Sequence, residues 1–331
     1  MTAASAGSLP RSGGEFAPNA YRYFDFTISS SFPIPELPAA PETTPALAIA
    51  MSPAIERGDR FEPVLEWRNS EGDIASKLFA FERRLVLDFP GLGAFEVSAG
   101  SGAVRCITGG TNPSEAVRHL LLTSVLPLLT AGRGNLVLHA SCVAIDAAAV
   151  LFVGHSGAGK STLAAGLAHE GYEFISDDCV LVTPSRDGAL CVAPFDELRL
   201  WPDSAAALLN DASCTGPVPG APGKLRTNAH GPVHRATANS VPLRAIYVVE
   251  PMPSSSSPAI VPLSPAEAFE ALLSNQFRLD PRDEGCARAH FDALAELTAS
   301  CATSRLQVPR SLSALPYVCR EIVADTRDRV E

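Results

Sequence analysis

Between residues 154 and 162 the chain reads GHSGAGKST. Gly154, Gly159, Lys160 and Ser161 fit the pattern G-x-x-x-x-G-K-[ST]. Phosphate chemistry needs this spacing. Glycines let the backbone wrap so that successive N–H groups point at an anion, and a helix starting there adds a favourable dipole. Lys160 would reach the β- and γ-phosphates, and the Ser161 hydroxyl would ligate Mg²⁺. His155, Ser156, Gly157, Ala158 and Thr162 complete the nucleotide-binding set. Only backbone is needed at His155, so its side chain is read as solvent-facing. Seventeen residues after the lysine comes a paired acid, Asp177 and Asp178, and fifteen before Gly154 stands His139. Two carboxylates next to a phosphate cradle can divide the work. One holds Mg²⁺ directly or through water, and the other accepts the proton of an attacking hydroxyl. Adjacent strand residues point to opposite sides, so which acid does which stays open. An Asp-Asp pair is also common in surface turns, and a lone histidine among apolar residues is more often part of a core.

The flanking elements decide whether these residues meet. AAAVLFVG reads as a strand running into the loop, and STLAAGLAHEG as the helix leaving it, with Gly171 as C-cap. YEFISDDCVLVTP reads as the next strand, and NLVLHASCVAI as the one before. A strand–loop–helix–strand unit should place the acids on the strand beside the loop strand. Upstream, FEPVLEW, SKLFAF, RRLVLDF and AFEVSA recur between turns, and YRYFDFTIS alternates like a strand. They suggest a small antiparallel β-rich lobe over residues 20–110. Residues 1–19, rich in Ser, Gly, Ala and Pro, read as a disordered tail. NPSEAVRHLLLTSVLPLLTAGRG reads as a helix capped by Asn112 or Ser114, opening a catalytic domain over 111–331. Downstream come a Pro/Gly-rich loop from 213 to 240, the strand RAIYVVEP, and the helix SPAEAFEALLSNQF with a Ser264–Glu267 capping box. DEGCARAHFDALAELTASCA and a short final helix close the chain.

Composition narrows the partners. The 331 residues carry a formal net charge of -10 and are 46% hydrophobic, enough for a sizeable core. No basic stripe is present, which argues against nucleic acid as the main ligand. The eight cysteines form no CxxC pair and read as small buried hydrophobes in a reducing cytoplasm. The longest apolar stretch, LLLTSVLPLLTA, is too short to span a bilayer. A cytoplasmic protein without a membrane partner is expected. There is neither an LSGGQ-like stretch nor an NKxD motif, so transporter ATPases and GTPases are disfavoured.

LHASCVAI, GHSGAGKS and FISDDCVLV, in this order and spacing, resemble the HPr kinase/phosphorylase family. The likeness covers roughly residues 135 to 200. It implies an α/β fold, a P-loop kinase core of the HPr kinase / PEP carboxykinase type. It implies an active site of His139, Lys160, Ser161, Asp177 and Asp178, with ATP and Mg²⁺. DELRLW is similar to a family segment in which a Glu helps hold the metal, so Ser161, Asp178 and Glu197 are the implied metal set, with Arg199 following. The LEIRGLGI-type signature linked to the reverse reaction is missing, so phosphorylase activity is not expected. FDFTISSSFPIPEL and the helical tail with HFDALAEL are similar to stand-alone HPr-kinase-like proteins, including kinases of lasso-peptide precursors. The expected activity is transfer of the γ-phosphate to a serine of a small protein or precursor peptide. The resemblance also allows a homo-oligomer. A kinase of a small molecule such as free serine, or a non-catalytic nucleotide sensor, remains the alternative. Lys224 and Arg226, in GAPGKLRTNA, are candidates for a phosphate clamp.

Overall fold

The computed structural model describes residues 19–41, 43–52, 62–68, 72–81, 84–98, 102–110, 112–186, 188–195, 197–209, 214–218, 223–228, 240–280 and 282–329. The tail expected over residues 1–19 lies outside them except for Asn19, as does much of the 213–240 stretch. The chain is a mixed α/β protein.

Eight strands form the first sheet: β1 (Asn19–Tyr23), β2 (Phe26–Ser30), β3 (Leu47–Ser52), β4 (Leu65–Arg68), β5 (Ile74–Phe81), β6 (Arg84–Phe89), β7 (Gly93–Ser98) and β8 (Ala103–Ile107). Their order is β1-β2-β3-β8-β7-β6-β5-β4. YRYFDFTIS is a hairpin rather than one strand, because Phe24 turns the chain at φ 52. The sheet is not wholly antiparallel. β3 runs parallel to both β2 and β8, because the proline-rich segment after β2 is long enough to cross over instead of turning back.

Helix α1 (Glu115–Leu120) is capped by Ser114, which accepts from the Val117 N–H. A wider π-type turn over Leu121–Val125 joins it to α2 (Leu126–Ala131). The wide turn lies just ahead of Pro127, which has no N–H to return to the preceding turn. Tyr23, fully buried, donates from Oη to the Leu122 carbonyl inside that turn at 2.9 Å and so ties the first sheet to the helix.

The second sheet carries the loop. Its elements begin with β9 (Leu136–Leu138), β10 (Ala140–Ile145), β11 (Ala148–Val153), α3 (Lys160–His169), β12 (Glu173–Ser176), β13 (Val180–Ser185) and β14 (Gly188–Val192). After β15 (Glu197–Leu200), α4 (Pro202–Leu208), β16 (Cys214–Pro217) and β17 (Leu225–Asn228) come β18 (Ser240–Met252), β19 (Ala259–Pro262), α5 (Pro265–Leu273), α6 (Glu284–Ser300), β20 (Ala302–Pro309) and α7 (Leu315–Asp328). The sheet order is β12-β10-β11-β18-β14-β13-β9, with β20 on β18 and β19 on β20. A separate small sheet runs β15-β17-β16. The final helix has 14 residues and is not short. Ser264 and Glu267 form the expected capping box on α5.

Three expectations change here. NLVLHASCVAI is broken at His139 into β9 and β10, and YEFISDDCVLVTP is broken at residues 177–179 into β12 and β13. The acid-bearing strand β12 pairs with β10, not with the loop strand β11. β10 and β11 are joined by a two-residue turn, Asp146 at φ 49 and Ala147 at φ 60, which fills one edge of β11. Parallel β18 fills the other.

Alternation explains the layers. Val143, Ile145, Val150 and Phe152 pack with Leu163 and Leu167 of α3 and Val318 and Ile322 of α7. Cys142, Ala144, Ala149 and Leu151 pack with Leu272 of α5 and Leu294 and Leu297 of α6. Both faces are covered, which is why β10 and β11 read as unbroken apolar runs. No helix among the described residues is long and apolar enough to cross a membrane. All eight cysteines are free, and five are buried.

Candidate functional site

β11 hands the chain to the glycine loop and α3 takes it up at Lys160. Gly159, left-handed at φ 105, stands at the helix start. Gly154 has φ 141, and a Cβ there would lie 2.9 Å from the Val249 carbonyl, so only glycine fits. Its N–H donates to Asn275 Oδ1 at 3.0 Å. His155, Ser156 and Gly157 are exposed, as read for His155, whereas Ala158 is buried. Lys160 is only 6% exposed, and its Nζ donates to the Gly154 carbonyl at 2.7 Å and the His155 carbonyl at 3.2 Å. Burial holds its pKa below the ordinary lysine value.

The two acids differ. Asp177 is buried; its Oδ1 accepts from Ser141 Oγ at 2.6 Å and from Ser161 Oγ at 3.0 Å, and its Oδ2 from the Arg199 N–H at 3.2 Å. Burial, then the charge of Asp178, raises its carboxyl above the usual range. Asp178 is not a strand residue. It sits past the end of β12 at φ 70, so the rule that strand neighbours diverge does not govern the pair. Its carboxylate accepts from Arg199 Nη1. Burial alone would raise Asp178, but the charges of Arg199, Lys224 and Lys160 hold it well below the usual range.

His139 lies in the break between β9 and β10 rather than on a strand. Its backbone N–H donates to the Asn275 carbonyl at 2.7 Å. Its Nδ1 is 2.9 Å from the Asp178 carbonyl. A carbonyl oxygen can only accept, so Nδ1 carries the proton and Nε2 keeps its lone pair. Burial and then Lys160 lower the His139 pKa, so the ring is neutral.

Arg199, 4% exposed, also donates from Nε to Glu197 Oε1 at 2.7 Å. Its Nη2 is buried with no protein partner. His139, Lys160, Ser161, Asp178 and Arg199 line one open cleft together with Thr162, Trp201 and Lys224. Arg226 instead pairs with Glu115 of α1. His119, one turn further along α1, is pushed down to about 3 by burial and by Arg199.

Of the residues read as metal ligands, Ser161 faces Asp177, while Asp178 and Glu197 face Arg199. Among the described residues no group of three or more His, Cys, Asp or Glu gathers as a metal site. Ser141 and Asn275 were not legible as site residues. Ser141 had a signal, standing two places beyond His139, whereas Asn275 lies 121 residues from its partner Gly154.

No protein-family model matches the chain, and no curated protein matches it. Among solved structures it is similar to the HPr(Ser) kinase/phosphatase from Coxiella burnetii, with 12% sequence identity and a TM-score of 0.32, over 59% of this chain and 97% of that one. At that level of likeness, function rests on the geometry of the chain itself.

Proposed function

We propose that this chain is an ATP- and Mg²⁺-dependent kinase of the P-loop type that transfers a γ-phosphate to a serine hydroxyl of a small protein or precursor peptide. The observation that carries this is the Ser161–Asp177 hydrogen bond at the start of α3, beside the buried Lys160 amine. A hydroxyl on a carboxylate next to a glycine-cradled lysine is the donor set for a metal–phosphate pair.

The residues present fit both groups. Mg²⁺ takes one or two protein oxygens and fills its remaining positions with water and phosphate, and Ser161 Oγ with Asp177 Oδ1 supplies two. Bound there, the metal would neutralise charge on the phosphate oxygens. The orphaned Arg199 Nη2 is a buried donor suited to a phosphoryl oxygen. Lys160, on leaving the Gly154 and His155 carbonyls, supplies the second cation. Asp178 lines the cleft with the lone pair of His139 nearby, and this side accepts the acceptor's proton. The transfer needs mainly such positioning and charge neutralisation.

Labelled γ-phosphate transfer tests this, with wild type and Lys160→Ala run side by side on an HPr-type protein, small precursor peptides and free serine. Label on protein or peptide, lost in the variant, is expected. Label on free serine alone would convert the reading to a metabolic kinase. ATP binding with no transfer to any acceptor would favour a nucleotide sensor.

A further inference from the structure

Trp201 is the large aromatic side chain at the cleft, and none of the contacts described so far requires it. It follows β15 directly, two residues beyond Arg199, at the start of α4. It lines the same cleft as Lys160, Ser161 and Asp178. The first turn of α4 is tied to the first turn of α3, with Ser204 Oγ 3.2 Å from Thr162 Oγ1. Arg199, two residues earlier, reaches Asp178. Thr162 follows Ser161, so α4 meets α3 at the residue next to the Ser161 hydroxyl. Lys224 Nζ lies over the indole ring, 5.9 Å from its centroid. Gly223 approaches the ring so closely that a Cβ there would stand 3.0 Å from it.

We propose that Trp201 is the nucleobase platform of this cleft: the base stacks on the indole while the phosphates run back along α3 to Lys160. The proposal rests on the nucleotide-binding reading above and adds a residue for the base. A polyphosphate anchored at Lys160 carries its nucleoside out of the glycine loop into the cleft, and Trp201 is the half-exposed π-face that lines it. Half-exposed indole is costly to leave in water and gains from stacking on any base. Lys224 adds a cation beside the ring without blocking the opening, since Trp201 remains 46% exposed.

The test is calorimetric titration of wild type, Trp201→Phe and Trp201→Ala with ATP and with inorganic tripolyphosphate, both with Mg²⁺. Trp201→Ala should weaken ATP about ten-fold, Trp201→Phe should retain most of the affinity, and tripolyphosphate should bind all three alike. Equal ATP affinity in wild type and Trp201→Ala would overturn the proposal. So would equal losses for ATP and tripolyphosphate, which would indicate damage to the loop, or a loss confined to acceptor-peptide affinity, which would make Trp201 an acceptor residue. If wild type binds neither ligand, the nucleotide reading itself fails. The chain has two tryptophans, so a Trp67→Phe background isolates the Trp201 emission. ATP should quench it and tripolyphosphate should not.

Discussion

Arg199 donates to Asp178 through Nη1 and to Glu197 through Nε, so one buried guanidinium holds two carboxylates. Arg199→Met should therefore cost about 3–5 kcal/mol at neutral pH, because it leaves charges without a partner. The sign with pH follows from Asp178. Its folded carboxyl lies below its ordinary value, so its stabilisation is complete above about pH 4 and is lost as pH falls through the folded value. The gap between wild type and variant in urea unfolding should narrow below about pH 4. A gap independent of pH would show that the ion pair does not carry the effect.

The Ser141 hydroxyl favours the ionised form of Asp177, while burial and Asp178 oppose it. Ser141→Ala should raise that carboxyl further and remove a charge-assisted bond of about 1.5–3 kcal/mol. For a raised carboxyl the stabilisation is present below about pH 4 and is lost as pH rises through the folded value. The destabilisation in Ser141→Ala should therefore be larger at pH 7 than at pH 4, as thermal melts at both would read. In a transfer assay the acid limb of the pH–rate profile should move to higher pH. A uniform drop at every pH would reduce Ser141 to a packing role.

Asn275 accepts the Gly154 N–H through Oδ1 and donates to the Ala271 carbonyl at 2.8 Å. Asn275→Ala leaves the buried Gly154 donor unpaired, at a cost of about 1–3 kcal/mol, and should weaken tripolyphosphate binding. Asn275→Asp keeps the acceptor, so it should regain stability while still binding anions poorly beside its added charge. The two variants separate the support of the loop from its electrostatics, read by melting temperature and by anion titration.

Gly154 and Gly157 both have positive φ, but only Gly154 is also crowded. Gly157→Ala meets nothing within 4 Å and should cost about 1 kcal/mol of backbone strain. Gly154→Ala adds a clash with the Val249 carbonyl at 2.9 Å and should cost several-fold more. Comparable melting points for the two variants would refute the steric account.

The loop and its helix were legible because G-x-x-x-x-G-K-[ST] fixes local backbone chemistry, and the capping box on α5 for the same reason. The apolar runs of β10 and β11 were legible because both faces of the sheet are covered. What failed was long-range pairing. Nothing near Asp177 says that β12 pairs with β10, since the two-residue turn that closes one edge of β11 lies thirty residues earlier. Nor does the sequence around His139 reveal a break in its strand. That break is made by Asn275, whose carbonyl takes the His139 N–H. The split roles of the acids depend on the positive φ of Asp178, which a strand pattern conceals.

His139 joins β9, at one end of the second sheet's strand order, to β10, next to the other end; residues 177–179 join β12 and β13 in the same crosswise way. The β9–β13 and β10–β12 ladders share one antiparallel register, Leu138 with Val180 and Cys142 with Ser176, so the two breaks lie opposite each other as a gap in one long ladder. The bond from His139 to the Asp178 carbonyl crosses this gap. An interrupted ladder opens at lower free energy than the paired strands on either side. On heating, the histidine and the acids should separate before the sheet melts, so that loss of the site precedes unfolding.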